Sequence, residues 1–303
     1  MKPLLSICIP TYNRDWCIKE QINTFSGFPQ YIWNKIEIII SDNCSTDRTR
    51  HVVENAISNG FPCTYVRNNE NLGMDRNFTQ CYNMAQGNFV WLLGDDDFVT
   101  QDGIVKILNL LNNSNHNLGV VHFIPNSDMP ATLYDNSEKF LTAISYNMTF
   151  ISGSIINTSY VHKIDLSTYH GTLISHVPLI LNAILESKIN VLCGGSSILC
   201  IAKDAVNNGG YNFFQVFVIN LLSIWHIYLE ENKISKKTFR RLKRELFTFV
   251  YTFYVNFFIK HNVGNFKIEN AWRILIKYYG NEWYFWYKWL KLLFHKLFDR
   301  KCV

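Results

Sequence analysis

The sequence predicts an α/β fold: a mostly parallel sheet flanked by helices, followed by a helical extension rich in basic and aromatic residues. Three observations predict it. Short apolar runs alternate with helical patterns through the first third, and each run ends in polar residues. The run Phe89-Val90-Trp91-Leu92-Leu93 leads through Gly94 into Asp95, Asp96 and Asp97. Residues 233–303 hold 16 Lys and Arg against 4 Asp and Glu, together with 20 of the chain's aromatic residues.

The elements follow in order. Residues 5–9 form a short apolar strand stopped by Pro10, and the polar turn Thr11-Tyr12-Asn13-Arg14 comes next. Residues 36–40 make a second strand, followed by Ser41-Asp42-Asn43-Cys44-Ser45-Thr46-Asp47. Ser45 or Thr46 can cap the next helix, with Asp47 in its first turn, where a negative charge is favoured. Residues 64–67 form a third strand that ends in a polar segment closed by Gly73, which suits a tight turn. Residues 89–93 read as a buried central strand and residues 118–123 as another. Residues 127–137 are polar, contain Pro130 and read as a loop. Residues 149–156 are strand-like but broken by Gly153, and residues 175–187 read as a helix. Strands that each feed a helix argue for a ligand cleft along the carboxyl edge of the sheet.

Three consecutive carboxylates at the mouth of such a sheet cannot all be buried unneutralised, because each unpaired charge costs several kcal/mol. A divalent cation held by hard oxygen ligands solves this, and such a cation usually carries phosphates as its other ligands. The alternative is a solvated acidic turn that also caps the following helix.

The motifs Pro10-Thr11-Tyr12-Asn13-Arg14, Ser41 through Asp47, Asn71-Leu72-Gly73 through Asn77, and Leu92-Leu93-Gly94-Asp95-Asp96-Asp97 stand in the order seen in family 2 glycosyltransferases, which the chain resembles. The resemblance covers residues 1–125 well and 126–210 loosely. The Gly94-to-Asp97 form and Ile151-Ser152-Gly153-Ser154 are most similar to the bacterial abequosyltransferase-like branch of O-antigen assembly. The resemblance implies a GT-A nucleotide-sugar-binding fold, with a donor half at 1–125 and an acceptor half at 126–210; the basic and aromatic composition beyond it points to a helical, membrane-associating region at 211–303. The resemblance also implies that Pro10, Thr11, Tyr12 and Arg14 line the donor pocket, and that Asp42 accepts a hydrogen bond from the nucleobase. Asn71, Gly73 and Asn77 would approach the donor sugar or diphosphate. Asp95 and Asp97 match the family's metal motif for Mn²⁺ or Mg²⁺, with Asp96 beside them. The chain departs from many relatives in having Gly94 where they carry another aspartate. The family pattern implies direct attack with inversion at the anomeric carbon.

Relatives present a carboxylate base at the start of the helix predicted over 175–187, where this chain has Ser175 and His176. An imidazole can serve near neutral pH, so His176 is the candidate base, with Asp165 and His170 next. The expected reaction moves a sugar from a nucleoside diphosphate to a hydroxyl of a lipid-linked saccharide. A nucleotidyltransferase would carry a glycine-rich basic loop after the first strand, which Pro10-to-Arg14 lacks. A non-catalytic membrane adaptor with a degenerate donor site is the other alternative.

The eight cysteines include no C-x-x-C pair, and Cys8 alternates within a strand, so a reduced protein is expected rather than a disulfide framework or zinc site. The first apolar run is stopped by Pro10 without a small-residue cleavage site, so no secretory signal is expected. The basic and aromatic mixture of the last third suits an anionic membrane surface better than nucleic acid, since its aliphatics favour lipid over bases. Residues 211–229 approach spanning length but include Asn212, Gln215, Asn220 and His226, which are costly in hydrocarbon. Residues 246–259 are too short to span. Both are expected to pack on each other or lie in the interface, with Lys236, Lys237, Arg240, Arg241, Lys243 and Arg244 between them.

Overall fold

Each apolar run of the first third becomes a strand in the computed structural model, which describes residues 2–113, 117–201, 210–259 and 265–299. The chain divides into two units, Met1–Ala205 and Val206–Val303.

The first unit is built from β1 (Leu5–Thr11), α1 (Asp15–Ser26), α2 (Gln30–Trp33), β2 (Ile36–Asp42), α3 (Thr49–Ser58), β3 (Cys63–Arg67), α4 (Met74–Met84), β4 (Phe89–Leu92), β5 (Asp97–Val99) and α5 (Gln101–Asn112). It continues with β6 (Leu118–Ile124), β7 (Thr132–Tyr134), α6 (Ser137–Ile144), β8 (Ser154–Asn157), α7 (His176–Glu186), β9 (Ile189–Gly194) and β10 (Leu199–Ile201). Eight strands form one sheet in the order β3-β2-β1-β4-β8-β6-β9-β7, and β5 pairs with β10 apart from it. β1 lies parallel to both β2 and β4, with Thr11 opposite Asp42 and Cys8 opposite Leu92. All seven residues of β1 are buried, as expected for a parallel strand covered on both faces. α1 buries one stripe, Cys17, Ile18, Gln21, Ile22 and Phe25, whereas α7 is buried all round from His176 to Ile184. The polar Gln21 on that stripe has a role described below.

Four local readings change. β8 is antiparallel to both β4 and β6, so the parallel order is interrupted at its centre. Residues 149–153 are not extended: Ser145–Thr149 and Ile151–Gly153 form 3₁₀ turns before β8 begins. Gly153 packs closely at the end of the second turn, where a Cβ would lie 3.0 Å from Phe150 Cδ1 and 3.1 Å from His122 Cε1. The expected loop at 127–137 contains the short edge strand β7, antiparallel to β9. Finally, α3 starts at Thr49, and neither Ser45 nor Thr46 caps it. The N-cap position is Arg48, which makes no side-chain cap; Asp47 precedes it, its Oδ1 accepting from the Thr49 amide and hydroxyl, while Ser45 and Thr46 stand too far ahead of the helix and contact Asn13.

The second unit comprises α8 (Leu221–Glu230), α9 (Lys236–Tyr254), α10 (Ala271–Tyr279) and α11 (Trp283–Asp299), with π-helical stretches at Gln215–Asn220 and Val255–Ile259. Ser235 caps α9 by accepting from the Thr238 amide. The apolar segments at 211–229 and 246–259 do pack together: the rings of Phe213 and Phe253 stack with centroids 3.6 Å apart, and Phe217 meets Phe249 edge-on. Phe247, at the centre of α9, is fully buried against Tyr279, Tyr284 and Phe285. Among the described residues, no helix is long and apolar enough to cross a membrane.

Candidate functional site

The acidic run sits where β4 ends and the chain turns into β5, beside the carboxyl end of β1. Gln21 fastens this turn from behind, its Nε2 donating to the carbonyls of Asp97 (2.7 Å), Gly94 (3.2 Å) and Asp95 (3.3 Å). Ser152 holds it from the other side. Its hydroxyl donates to Asp97 Oδ2 at 2.5 Å and accepts from the Gly94 amide at 2.8 Å, while its carbonyl takes the Trp91 indole N–H. Gly94 leaves the necessary room, since a Cβ there would lie 3.1 Å from Asp97 Oδ2 and 3.3 Å from both Asp96 Oδ1 and Ser152 Oγ. A side chain at position 94 would crowd this turn.

Thr11 and Arg14 complete the cluster. Thr11 Oγ1 donates to Asp95 Oδ2 at 2.8 Å. Arg14 Nη1 lies 2.9 Å from Asp95 Oδ1 and 3.0 Å from Asp96 Oδ2, so one guanidinium bridges two carboxylates. Burial pushes the Asp95 carboxyl up to about 6, against the pull of Arg14 and the Thr11 hydroxyl. Burial also pushes Asp97 up to about 6, helped by the charges of Asp96 and Asp95 and opposed by the Ser152 hydrogen bond.

These residues fit a divalent cation. The donors are hard carboxylate oxygens, a single guanidinium faces three carboxylates, and the raised values of Asp95 and Asp97 report charge that the protein alone does not neutralise. Among the described residues, no three His, Cys, Asp or Glu side chains converge as a complete metal cage. The protein would therefore supply part of the shell and a ligand or water the rest, as is usual for Mg²⁺. Asp95 and Asp97 were expected as ligands. Each Asp95 oxygen accepts one hydrogen bond, from Thr11 and from Arg14, while Asp96 and Asp97 have one engaged oxygen each.

A second corner lies at the ends of β2 and β3. Asp42 was expected to face a nucleobase. Instead its side chain is fully buried: Oδ1 accepts from the Ser45 amide (2.8 Å), and Oδ2 accepts from the Tyr65 hydroxyl (2.7 Å) with Arg67 Nε at 3.6 Å. It shapes the loop that includes Cys44 at φ +66°. Asn77 is also buried, taking Ser41 Oγ and Asn68 Nδ2 on its Oδ1 and donating to the Ser41 carbonyl. Asn71 Oδ1 accepts from Asn43 Nδ2 and from the Gly73 amide, and Gly73 turns at φ +80°. These four residues build the wall of the corner. Tyr12 stands at its rim, 44% exposed, while Pro10 is buried within β1. Thr11 joins the two corners, with Asp42 as its strand partner and Asp95 on its hydroxyl.

The expected bases are not brought to the cluster. His176 is buried, its Nε2 3.2 Å from the Thr149 carbonyl and its ring edge-on to Phe78. Burial pushes it down to about 4, against the Thr149 hydrogen bond and the charge of Asp75. The imidazole expected as the base is thus enclosed and held at the Thr149 carbonyl in this structure. Asp165 is exposed and caps the Leu166–Tyr169 turn through the Ser167 amide. His170 Nε2 lies 3.1 Å from Thr79 Oγ1 on α4.

Asp75 escaped the sequence reading. Buried in the first turn of α4, it accepts from three backbone amides: Gly171 (2.8 Å) and Leu173 (2.9 Å) on Oδ2, and Ser175 (3.1 Å) on Oδ1. It thereby ties the segment before α7 to the helix that follows Gly73. An Asp75→Asn change turns an acceptor into a donor facing amides. Hydrogen exchange at Gly171, Leu173 and Ser175 should accelerate at least tenfold, at a cost of about 1–3 kcal/mol. Unchanged protection would mean that the carboxylate does not hold the segment.

The family 2 glycosyl transferase model matches residues 6–166, more than half of the chain. The chain belongs to glycosyl transferase family 2. Abequosyltransferase RfbV of Salmonella typhimurium is 39% identical over 109 residues, 36% of this chain and 32% of that protein. A GalNAc(5)-diNAcBac-PP-undecaprenol β-1,3-glucosyltransferase of Campylobacter jejuni is 30% identical over 111 residues, 36% of this chain and 35% of that one. The matches thus span about a third of these curated relatives. Among solved structures, Staphylococcus aureus TarS 1–349 with UDP-GlcNAc superposes with a TM-score of 0.63 at 17% identity, covering 89% of this chain and 78% of that one. A Pyrobaculum calidifontis mannosyltransferase with GDP-Man and Mn²⁺ gives 0.54 at 15%, covering 82% and 70%. At these identities the likeness shows the fold, which is GT-A.

Proposed function

We propose that the chain transfers a sugar from a nucleoside diphosphate to a hydroxyl of a lipid-linked saccharide in bacterial surface polysaccharide assembly. The observation that carries this reading is the meeting of Thr11, Arg14 and the Asp95–Asp97 carboxylates at the carboxyl ends of two adjacent parallel strands, where open α/β sheets bind ligands. The names of the relatives support the substrate class: an abequosyltransferase, and an enzyme whose acceptor is carried on undecaprenol diphosphate.

In this reading Asp96 and Asp97 would hold Mn²⁺ or Mg²⁺, which when bound would supply positive charge against the departing diphosphate. Ser152 and Gln21 keep Asp97 and its turn in place before the donor arrives, so little ordering remains to be done on binding. Arg14, held by Asp95, adds a fixed positive charge beside the diphosphate. The wall of Asp42, Asn71, Gly73 and Asn77 shapes the nucleoside pocket, with Tyr12 at its rim. The basic and aromatic second unit suits peripheral attachment to the inner face of the bacterial membrane, where a lipid-linked acceptor would be met.

Thermal unfolding with UDP, GDP, CDP or dTDP, each with and without Mn²⁺, tests the donor site. A ligand at 100 times its dissociation constant adds about 2.7 kcal/mol. One nucleotide should raise the midpoint by several degrees, and only with Mn²⁺. If none of the four does so, the acidic cluster is not a donor site.

A further inference from the structure

α11 is apolar on two faces. One faces inward: Phe285 is fully buried, and Trp289 meets Tyr251 and Trp272 at centroid distances of 5.1 and 4.9 Å. The other is open. Trp283 is 66% exposed, Trp286 47%, Tyr287 58%, Leu290 52% and Leu293 56%. Their spacing of three and four residues puts them on one stripe of the helix. Together they expose on the order of 500 Å² of apolar surface, at the upper end of what monomers leave uncovered without a function. A helix that is apolar all round belongs in a core or against lipid.

Cations border this stripe. The Arg244 guanidinium of α9 lies over the rings of Trp283 and Tyr284, at 5.2 and 5.7 Å. Lys288 and Lys291 follow on α11, and Lys288 is pushed down by burial and by the neighbouring charges of Arg244 and Lys291, so the three cations share one field. The nearby acids are engaged elsewhere: Glu245 pairs with Arg241 and Glu282 with Lys243. Among the described residues, no carboxylate pairs with Arg244, Lys288 or Lys291. Lys288 Nζ donates to Thr248 Oγ1 at 3.3 Å and lies over the Tyr251 ring, which leaves Arg244 and Lys291 as the cations at the edge of the stripe. Aromatic rings beside such cations match the headgroup layer of an anionic bilayer. A second copy fits less well, because a two-fold contact brings the same cations face to face.

We infer that the open face of α11 lies in the interfacial layer of an anionic bilayer, with the helix parallel to the plane and Arg244 and Lys291 on the lipid phosphates. The inference rests on the membrane attachment proposed above and adds the face that enters.

Flotation of the full chain with phosphatidylcholine vesicles, with and without phosphatidylglycerol, tests it. The Leu290→Gln/Leu293→Gln variant removes apolar surface without adding charge, at positions exposed enough to leave the unfolding midpoint unchanged. Its partition into phosphatidylglycerol vesicles should fall at least about tenfold. Should it fold poorly, Tyr287→Gln alone gives the same comparison with a smaller loss. A variant that floats like the native chain overturns the assignment of this face and leaves membrane attachment standing. If the native chain floats with neither vesicle, the attachment fails and the inference with it. Light scattering that shows a native dimer which the variant dissolves gives the face to a second copy, and also overturns it.

Discussion

Asp97→Asn should abolish transfer while making the metal-free protein more stable. The sign follows from linkage. In the folded protein burial raises the Asp97 carboxyl from 3.8 to about 6, so its ionisation opposes folding. The penalty is absent below about pH 4, grows as pH rises towards 6, and is fully present above it. A shift of about two pK units corresponds to about 3 kcal/mol. Asn keeps the shape and still accepts from Ser152, so above pH 6 the variant should gain up to that amount. It should also lose the Mn²⁺-dependent midpoint shift, and turnover should drop by orders of magnitude. Calorimetric unfolding at pH 5 and pH 8, with and without Mn²⁺, reads all of this. A variant that is less stable at pH 8, or that keeps its Mn²⁺ response, would remove Asp97 from the cation site.

Arg14→Ala should produce the largest loss of stability in the first unit. Its guanidinium is the bridge between Asp95 and Asp96, which are 8% and 14% exposed at the side chain. Deleting one partner of a buried ion pair typically costs about 3–5 kcal/mol, because the other charge remains. Protonation of Asp95 relieves that charge, so the loss should be greatest above pH 6 and shrink towards pH 5. Mn²⁺ should restore part of it. Arg14→Lys should fall between, since a point charge cannot span two carboxylates in the way that a planar fork can. Urea unfolding at two pH values decides. A loss below about 1 kcal/mol at pH 8 would mean that the carboxylates are relieved by solvent instead.

The strands and the acidic turn were legible because their causes are local. Apolar runs such as residues 36–40 name their own burial, and consecutive carboxylates at a strand end announce an electrostatic problem. The partners that solve the problem come from afar. Ser152 lies 55 residues from Asp97, and the Asp75 carboxylate holds amides 96 to 100 residues away, so no window of the sequence contains either contact. Gln21 did leave a trace, as a polar residue on the apolar stripe of α1. His176 misled because a helix start usually faces solvent, whereas here Phe78 and the Thr149 carbonyl enclose the ring. Asp42 misled in the opposite way: its position at the end of a strand was right, but Tyr65 and the Ser45 amide already occupy its oxygens.

The Ser152 contacts bear on how such a protein could be re-engineered. Exchanging everything after residue 125 for the corresponding part of a relative, in order to change the acceptor, looks like a clean graft. It is not, because the grafted piece must bring a hydroxyl that seats Gly94 and Asp97 and a carbonyl that receives the Trp91 indole. It must also bring a backbone segment whose amides meet Asp75. A chimera that ignores these positions should fold as a sheet and still lose the arrangement of its acidic turn. The interchangeable unit is therefore larger than either half, and new specificity is better sought by changing exposed loop residues one at a time.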